Sequence, residues 1–140
     1  IFDVGGTVDT IAYYKSKGNR GNQDAAYQQL LDMVDQAFRT HGHRKEMLLG
    51  QAATASARLN QEHLKKPLLD EFITSAKRKG ALGTLVAHSG TVVGVLWASD
   101  LQEQAVAQKT QILASEFDGR YRYMQTARLI SGGVICEIRP

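Results

Sequence analysis

The chain carries one cysteine, Cys136, in 140 residues, which excludes an intrachain disulfide and a cysteine-built metal cluster and fits a reducing compartment. It has no apolar segment of about eighteen residues, the length a membrane-spanning helix needs. Seventeen basic residues stand against fourteen acidic ones, a net charge of +3, and the basic ones are scattered, which argues against a nucleic-acid-binding face. No targeting signal, internal repeat or low-complexity stretch is visible, and no GxxxxGK[ST] phosphate loop occurs. What is there is ordinary globular composition, 43% apolar and 22% charged, enough for one domain with a real core.

The opening residues, IFDVGG, lack an initiator methionine and begin inside a strand-like run, as expected of a piece cut from a longer chain just before a turn at Gly5 and Gly6. Residues 1–22 then read as the end of an upstream domain's strand and a connecting loop, with the main domain over 23–140. Lys15 to Asn22 is glycine-bearing, basic and without periodicity, a loop. Asn22 is placed to cap a helix in which Tyr27, Leu30, Leu31, Val34 and Phe38 recur at helical steps, ending near Gly42. On this reading Phe38 is a core residue.

A second helix runs through Leu48, Ala52, Ala55 and Leu59, its small residues allowing a neighbouring helix to pack close. Pro67 suits the first turn of a third, with Leu69, Phe72, Ile73 and Ala76 on one face until Gly80. Strands are expected over 82–88 and 92–98, and then a helix marked by Leu101, Ala105, Gln108 and Ile112 with Asp100 as its cap. A long strand over 120–130 follows, with Tyr121, Arg122, Tyr123 and Arg128 on its two faces. A Ser131–Gly132–Gly133 turn and a last strand over 134–138 complete the chain, with Cys136 buried and inert. This order predicts an α+β fold, a ferredoxin-like arrangement with helices packed on one face of a mainly antiparallel sheet.

The informative stretch is GALGTLVAHSGTVVGVLWAS, Gly80 to Ser99, where His88, Ser89, Gly90 and Thr91 form a polar notch between two valine-rich halves. A sheet gains nothing from such a notch, so it is either a tight hairpin or a place where backbone approaches a ligand. In the second case the N–H groups of Ser89, Gly90 and Thr91 would converge on an anion, and His88 would add a hydrogen bond or simply pack. Asp9 follows the double glycine and either reaches a ligand or closes a turn. Asp3, inside the strand, reads as structural, and Lys15, Lys17 and Arg20 as solvated loop residues or phosphate contacts.

With its glycines at 83, 90 and 94, GALGTLVAHSGTVVGVLWA resembles the glycine-rich third motif of the GHMP kinases, whose usual SGAGG is replaced here by AHSGT. Together with DVGGTVDTIAY at the start, it is most similar to the branch of that family that phosphorylates L-threonine in cobalamin synthesis and propanediol utilisation. The resemblance covers the chain from Asp3 through the strands after the notch. It implies a cytoplasmic, ATP- and magnesium-dependent kinase acting on the threonine hydroxyl, with this chain as the C-terminal half. The phosphate loop, the magnesium-binding acid and the catalytic aspartate would belong to an N-terminal domain, since no P-x-x-x-G-x-x-S-S stretch occurs here. No catalytic or metal-binding residue is therefore expected in this part. Its contribution would be a substrate- and phosphate-binding set of Gly5, Gly6, Asp9, Thr10, His88, Ser89, Gly90 and Thr91. Two alternatives stay open: a ferredoxin-like small-molecule sensor or oligomerisation module, and a GHMP kinase for another small hydroxylated acceptor.

Overall fold

The computed structural model describes residues 1–9, 11, 24–87 and 90–129. Four strands and four helices follow one another among these residues: β1 (Phe2–Asp3), α1 (Asp24–Phe38), α2 (Gly42–Asn60), α3 (Leu69–Arg78), β2 (Gly83–Val86), β3 (Val92–Leu96), α4 (Glu103–Glu116) and β4 (Arg122–Tyr123). They form an α+β unit whose single four-stranded sheet has the order β2-β3-β1-β4 with every neighbour antiparallel. That order is compatible with the split βαβ pattern of a ferredoxin-like fold. Phe2 and Asp3, which the sequence reading assigns to an upstream strand, lie inside this sheet between β3 and β4.

The core forms where Phe2 and Val93 of the two inner strands meet three helices. Ala57 of α2, Leu69, Phe72, Ile73 and Ala76 of α3, and Leu113 and Phe117 at the end of α4 all join it. Phe72 is at its centre, in edge contact with Phe2 and with Phe117, both at 5.1 Å, and tilted on Tyr121 at 4.5 Å. The buried Tyr121 donates its hydroxyl to the Pro67 carbonyl at 2.7 Å, and burial first, then Glu71, pushes its pKa up, so it remains a neutral donor.

Local chemistry explains the boundaries of α3. Asp70 and Glu71 in its first turn and Lys77 and Arg78 in its last complement the helix dipole. Gly80, at φ +86°, closes it in a Schellman turn, with Ala81 N–H on the Ala76 carbonyl and Gly80 N–H on that of Lys77. Lys79 donates to Ser75 Oγ at 2.8 Å and to Glu116 Oε1 at 2.6 Å, tying α3 to α4. Lys79, then Ser75, holds the Glu116 carboxyl below its usual range.

Helix α2 seals the outer edge of β2. The Thr54 hydroxyl accepts the Thr84 N–H at 3.0 Å and donates to the Gly50 carbonyl at 2.9 Å, so an edge amide that would face solvent is paired. A Cβ on Gly83 would run into the Gly50 backbone, and one on Gly50 into the Leu82 carbonyl. The small residues of α2 thus admit a strand as well as the neighbouring α1.

Several expectations need correction. The strands flanking the notch are shorter than read, Gly83–Val86 and Val92–Leu96. Helix α3 begins at Leu69 after Leu68 in the left-handed region, so Pro67 precedes it. The residue at the cap of α4 is Gln102, without a side-chain cap bond, in place of Asp100. The long strand over 120–130 is reduced to Arg122–Tyr123 among the described residues, and beyond it Ile1 continues the pairing through its carbonyl to Met124 N–H and its amine to the Gln125 carbonyl. Phe38 is 67% exposed and lies outside the core, since α1 buries Ala37 and the next residue points about 100° further round the helix. The cap at Asn22 and the strand over 134–138 with Cys136 lie outside the described residues.

Two stability predictions follow from this packing. Phe72→Ala should cost about 3 to 5 kcal/mol by cavity formation, and Phe38→Ala less than about 1 kcal/mol, read as the shift in urea denaturation free energy. Lys66 is 3% exposed with no partner for Nζ among the described residues, and burial lowers its pKa. The unfolded chain binds this proton up to pH 10.5 and the native chain releases it earlier, so the term destabilises most at low pH and fades as pH rises to 10.5. Lys66→Met should therefore stabilise the fold at neutral pH, with the gain over wild type shrinking toward pH 10.5 in the same denaturation assay.

Candidate functional site

The notch is the turn of the β2–β3 hairpin: Ala87 N–H bonds the Val92 carbonyl at 2.9 Å, and the register Val86↔Val93 runs up to it. Beside it, β1 leaves the sheet. Asp3 stands opposite Val92, and Val4 N–H continues the ladder to the Thr91 carbonyl at 3.0 Å. The exit of the first glycine motif and the second arm of the notch are therefore bonded neighbours at one end of the sheet.

Asp3 is the centre of this junction. Its Oδ1 accepts the Gly5 N–H at 3.0 Å and its Oδ2 accepts Arg122 Nη2 at 3.0 Å from the paired strand β4. The Thr91 side chain first, then the Gly5 N–H, and more weakly Arg122, hold the Asp3 carboxyl below its usual range against a smaller opposing effect of desolvation. Arg122 is mostly exposed and spends one nitrogen on Asp3. An open cleft of about 740 Å³ adjoins the junction, lined by Asp3, Gly5 and Arg122 and by Gln111, Ser115 and Asp118 from the end of α4 and beyond.

The other residues singled out by sequence are placed as follows. Gly5 and Gly6 are exposed at φ +72° and +83°, a double left-handed turn that L side chains resist. Gly90 and Thr91 are half-buried; a Cβ on Gly90 would meet only the Ala87 Cβ, at 3.4 Å, and its φ is not positive, so the backbone alone does not demand glycine there. Asp9 is exposed and its Oδ1 accepts the Ile11 N–H at 3.0 Å, closing a local turn. Thr10, His88 and Ser89 lie outside the described residues, as do Lys15, Lys17 and Arg20.

Asp3 and Arg122 were assigned no function by sequence, and the signal for Asp3 was present: a carboxylate between Phe2 and Val4 in a strand needs partners. Among the described residues no group of three or more His, Cys, Asp or Glu is arranged to hold a metal ion, and the Asp3 oxygens are engaged by donors. The junction thus does not fit a magnesium ion. No helix among the described residues is long and apolar enough to cross a membrane.

No family model, no curated protein and no solved structure matches this chain.

The lowered Asp3 pKa sets an acid dependence. Its contribution to stability is present above the unfolded value of 3.8 and is lost as pH falls through the native pKa below that. Asp3→Asn should flatten this part of the acid limb in denaturation midpoints measured from neutral pH downward. An acid limb identical to wild type would remove Asp3 from the account.

Proposed function

We propose that this chain is the C-terminal half of an ATP-dependent GHMP-type kinase that phosphorylates L-threonine, supplying L-threonine O-3-phosphate for the aminopropanol arm of cobalamin in the cytoplasm. The observation that supports this reading is the junction at Asp3, where the two motifs carrying the resemblance share one end of the sheet beside an open cleft.

In this reading an N-terminal domain of the same parent chain binds ATP, and this half closes over the acceptor. Phosphoryl transfer forms a bond between the threonine hydroxyl oxygen and the γ-phosphorus, breaks the bond to the ADP oxygen, and passes the hydroxyl proton to a base in the upstream domain. Such transfer depends chiefly on positioning and on electrostatic stabilisation of the moving group. The reading gives the substrate carboxylate or the transferring phosphoryl group to backbone donors at Ser89, Gly90 and Thr91 and to His88. Gly5, Gly6 and Thr10 complete the proposed substrate- and phosphate-binding set. Asp9 pairs the substrate ammonium. No step is routed through magnesium, which the described residues do not fit.

The test uses the parent chain with ATP and L-threonine, with phosphothreonine followed by phosphorus NMR. Asp9→Asn retains an oxygen for the Ile11 N–H while removing the charge. It should lower kcat/KM for threonine about 30-fold, the loss of about 2 kcal/mol expected for an unpaired charged hydrogen bond, and leave KM for ATP unchanged. Gly90→Val should abolish turnover while the thermal midpoint moves by no more than a few degrees. No threonine phosphorylation by the parent, or an unchanged kcat/KM in Asp9→Asn, would overturn the reading.

A further inference from the structure

Helix α1 has two apolar faces, and the described residues cover one of them. Ala37 is buried and Ala26, Leu30 and Met33 are half-buried along the side that packs on α2, which is the chief neighbour of this helix. A second stripe, Tyr27, Leu31, Val34 and Phe38, is offset from the first by roughly 100° at the helical turn per residue. Tyr27 is 38%, Leu31 57% and Phe38 67% exposed, with Val34 half-buried between them. Lys45 Nζ of α2 sits over the Phe38 ring at 5.4 Å.

We propose that this stripe is the contact face of a two-fold dimer in which α1 packs antiparallel against α1 of a second copy of the chain. Its steps of four, three and four residues are the spacing of a helix–helix seam. The steps are also symmetric about the point between Asp32 and Met33. An antiparallel copy therefore sets Phe38 against Tyr27 and Val34 against Leu31, the self-matching that an isologous interface requires. Opposed helix dipoles favour the same orientation. Of the charges beside the stripe, Arg39 pairs with Asp35 at 2.9 Å, and Asp32 disfavours an anionic membrane surface as the occupant.

The interface is independent of the kinase reading and is tested on the 140-residue chain itself. Light scattering across a concentration series should show the mass rising from 15.4 kDa toward twice that value. Leu31→Asp and Phe38→Asp change exposed side chains, so each should weaken association at least tenfold with an unchanged denaturation midpoint at concentrations where the wild type is monomeric. In a Cys136→Ser background, Leu31→Cys mixed with Val34→Cys should cross-link faster than either variant alone, as the register requires. A monomer at every concentration, a dimer untouched by both charge substitutions, or the stripe binding only lipid vesicles would overturn the proposal.

Discussion

The sheet depends on a strand of two residues. Phe2 and Asp3 pair with β3 on one side and β4 on the other, so among the described residues β1 alone bridges the hairpin and β4. Their side chains divide the work by the alternation of a strand. Phe2 points into the core, in edge contact with Phe72 and with Tyr123 at 5.6 Å, and Asp3 points to the junction, where it gathers Gly5, Thr91 and Arg122. One side chain anchors the strand by burial and the other by charge-assisted hydrogen bonds.

That division explains why the candidate site is where it is. The ladder between β1 and β3 runs out at Thr91 because β1 reaches the left-handed pair Gly5–Gly6, and the polar turn of the hairpin begins at the same level. A carboxylate placed there satisfies donors from three segments far apart in sequence, and leaves Arg122 exposed at the rim of the cleft. The opposite edge of the sheet is closed by α2, whose Thr54 pairs the Thr84 amide. The two ends of the strand order are thus treated differently: one is sealed by a helix and the other borders an open cleft.

Much of the architecture was legible from periodicity. The apolar faces of α2 and α3, the two valine-rich strands and the hairpin between them were readable, because each is a local pattern that burial enforces. Phe38 was misread for a physical reason: α1 has more apolar surface than α2 covers, and periodicity reports the band without saying which part of it is packed. The 120–130 strand was overextended because a strand is only as long as its pairing, and beyond Tyr123 it is Ile1 alone, among the described residues, that meets it. The Asp3–Arg122 pair joins residues at opposite ends of the described chain, so its existence depends on strand order, which no local pattern encodes. The approach of Gly50 to Gly83 is of the same kind.

The central claim is that Asp3 holds the exit of β1 and the notch together as a carboxylate, and amide hydrogen exchange tests it most directly. At neutral pH the Gly5 amide, bonded to Asp3 Oδ1, and the Val4 amide, bonded to the Thr91 carbonyl, should both exchange slowly. In Asp3→Ala the Gly5 protection should vanish and that of Val4 should fall with it, while amides in α3 keep theirs. A Gly5 amide that exchanges at the rate of an open loop in the wild-type chain, or protection at Val4 and Gly5 untouched by Asp3→Ala, would contradict the account.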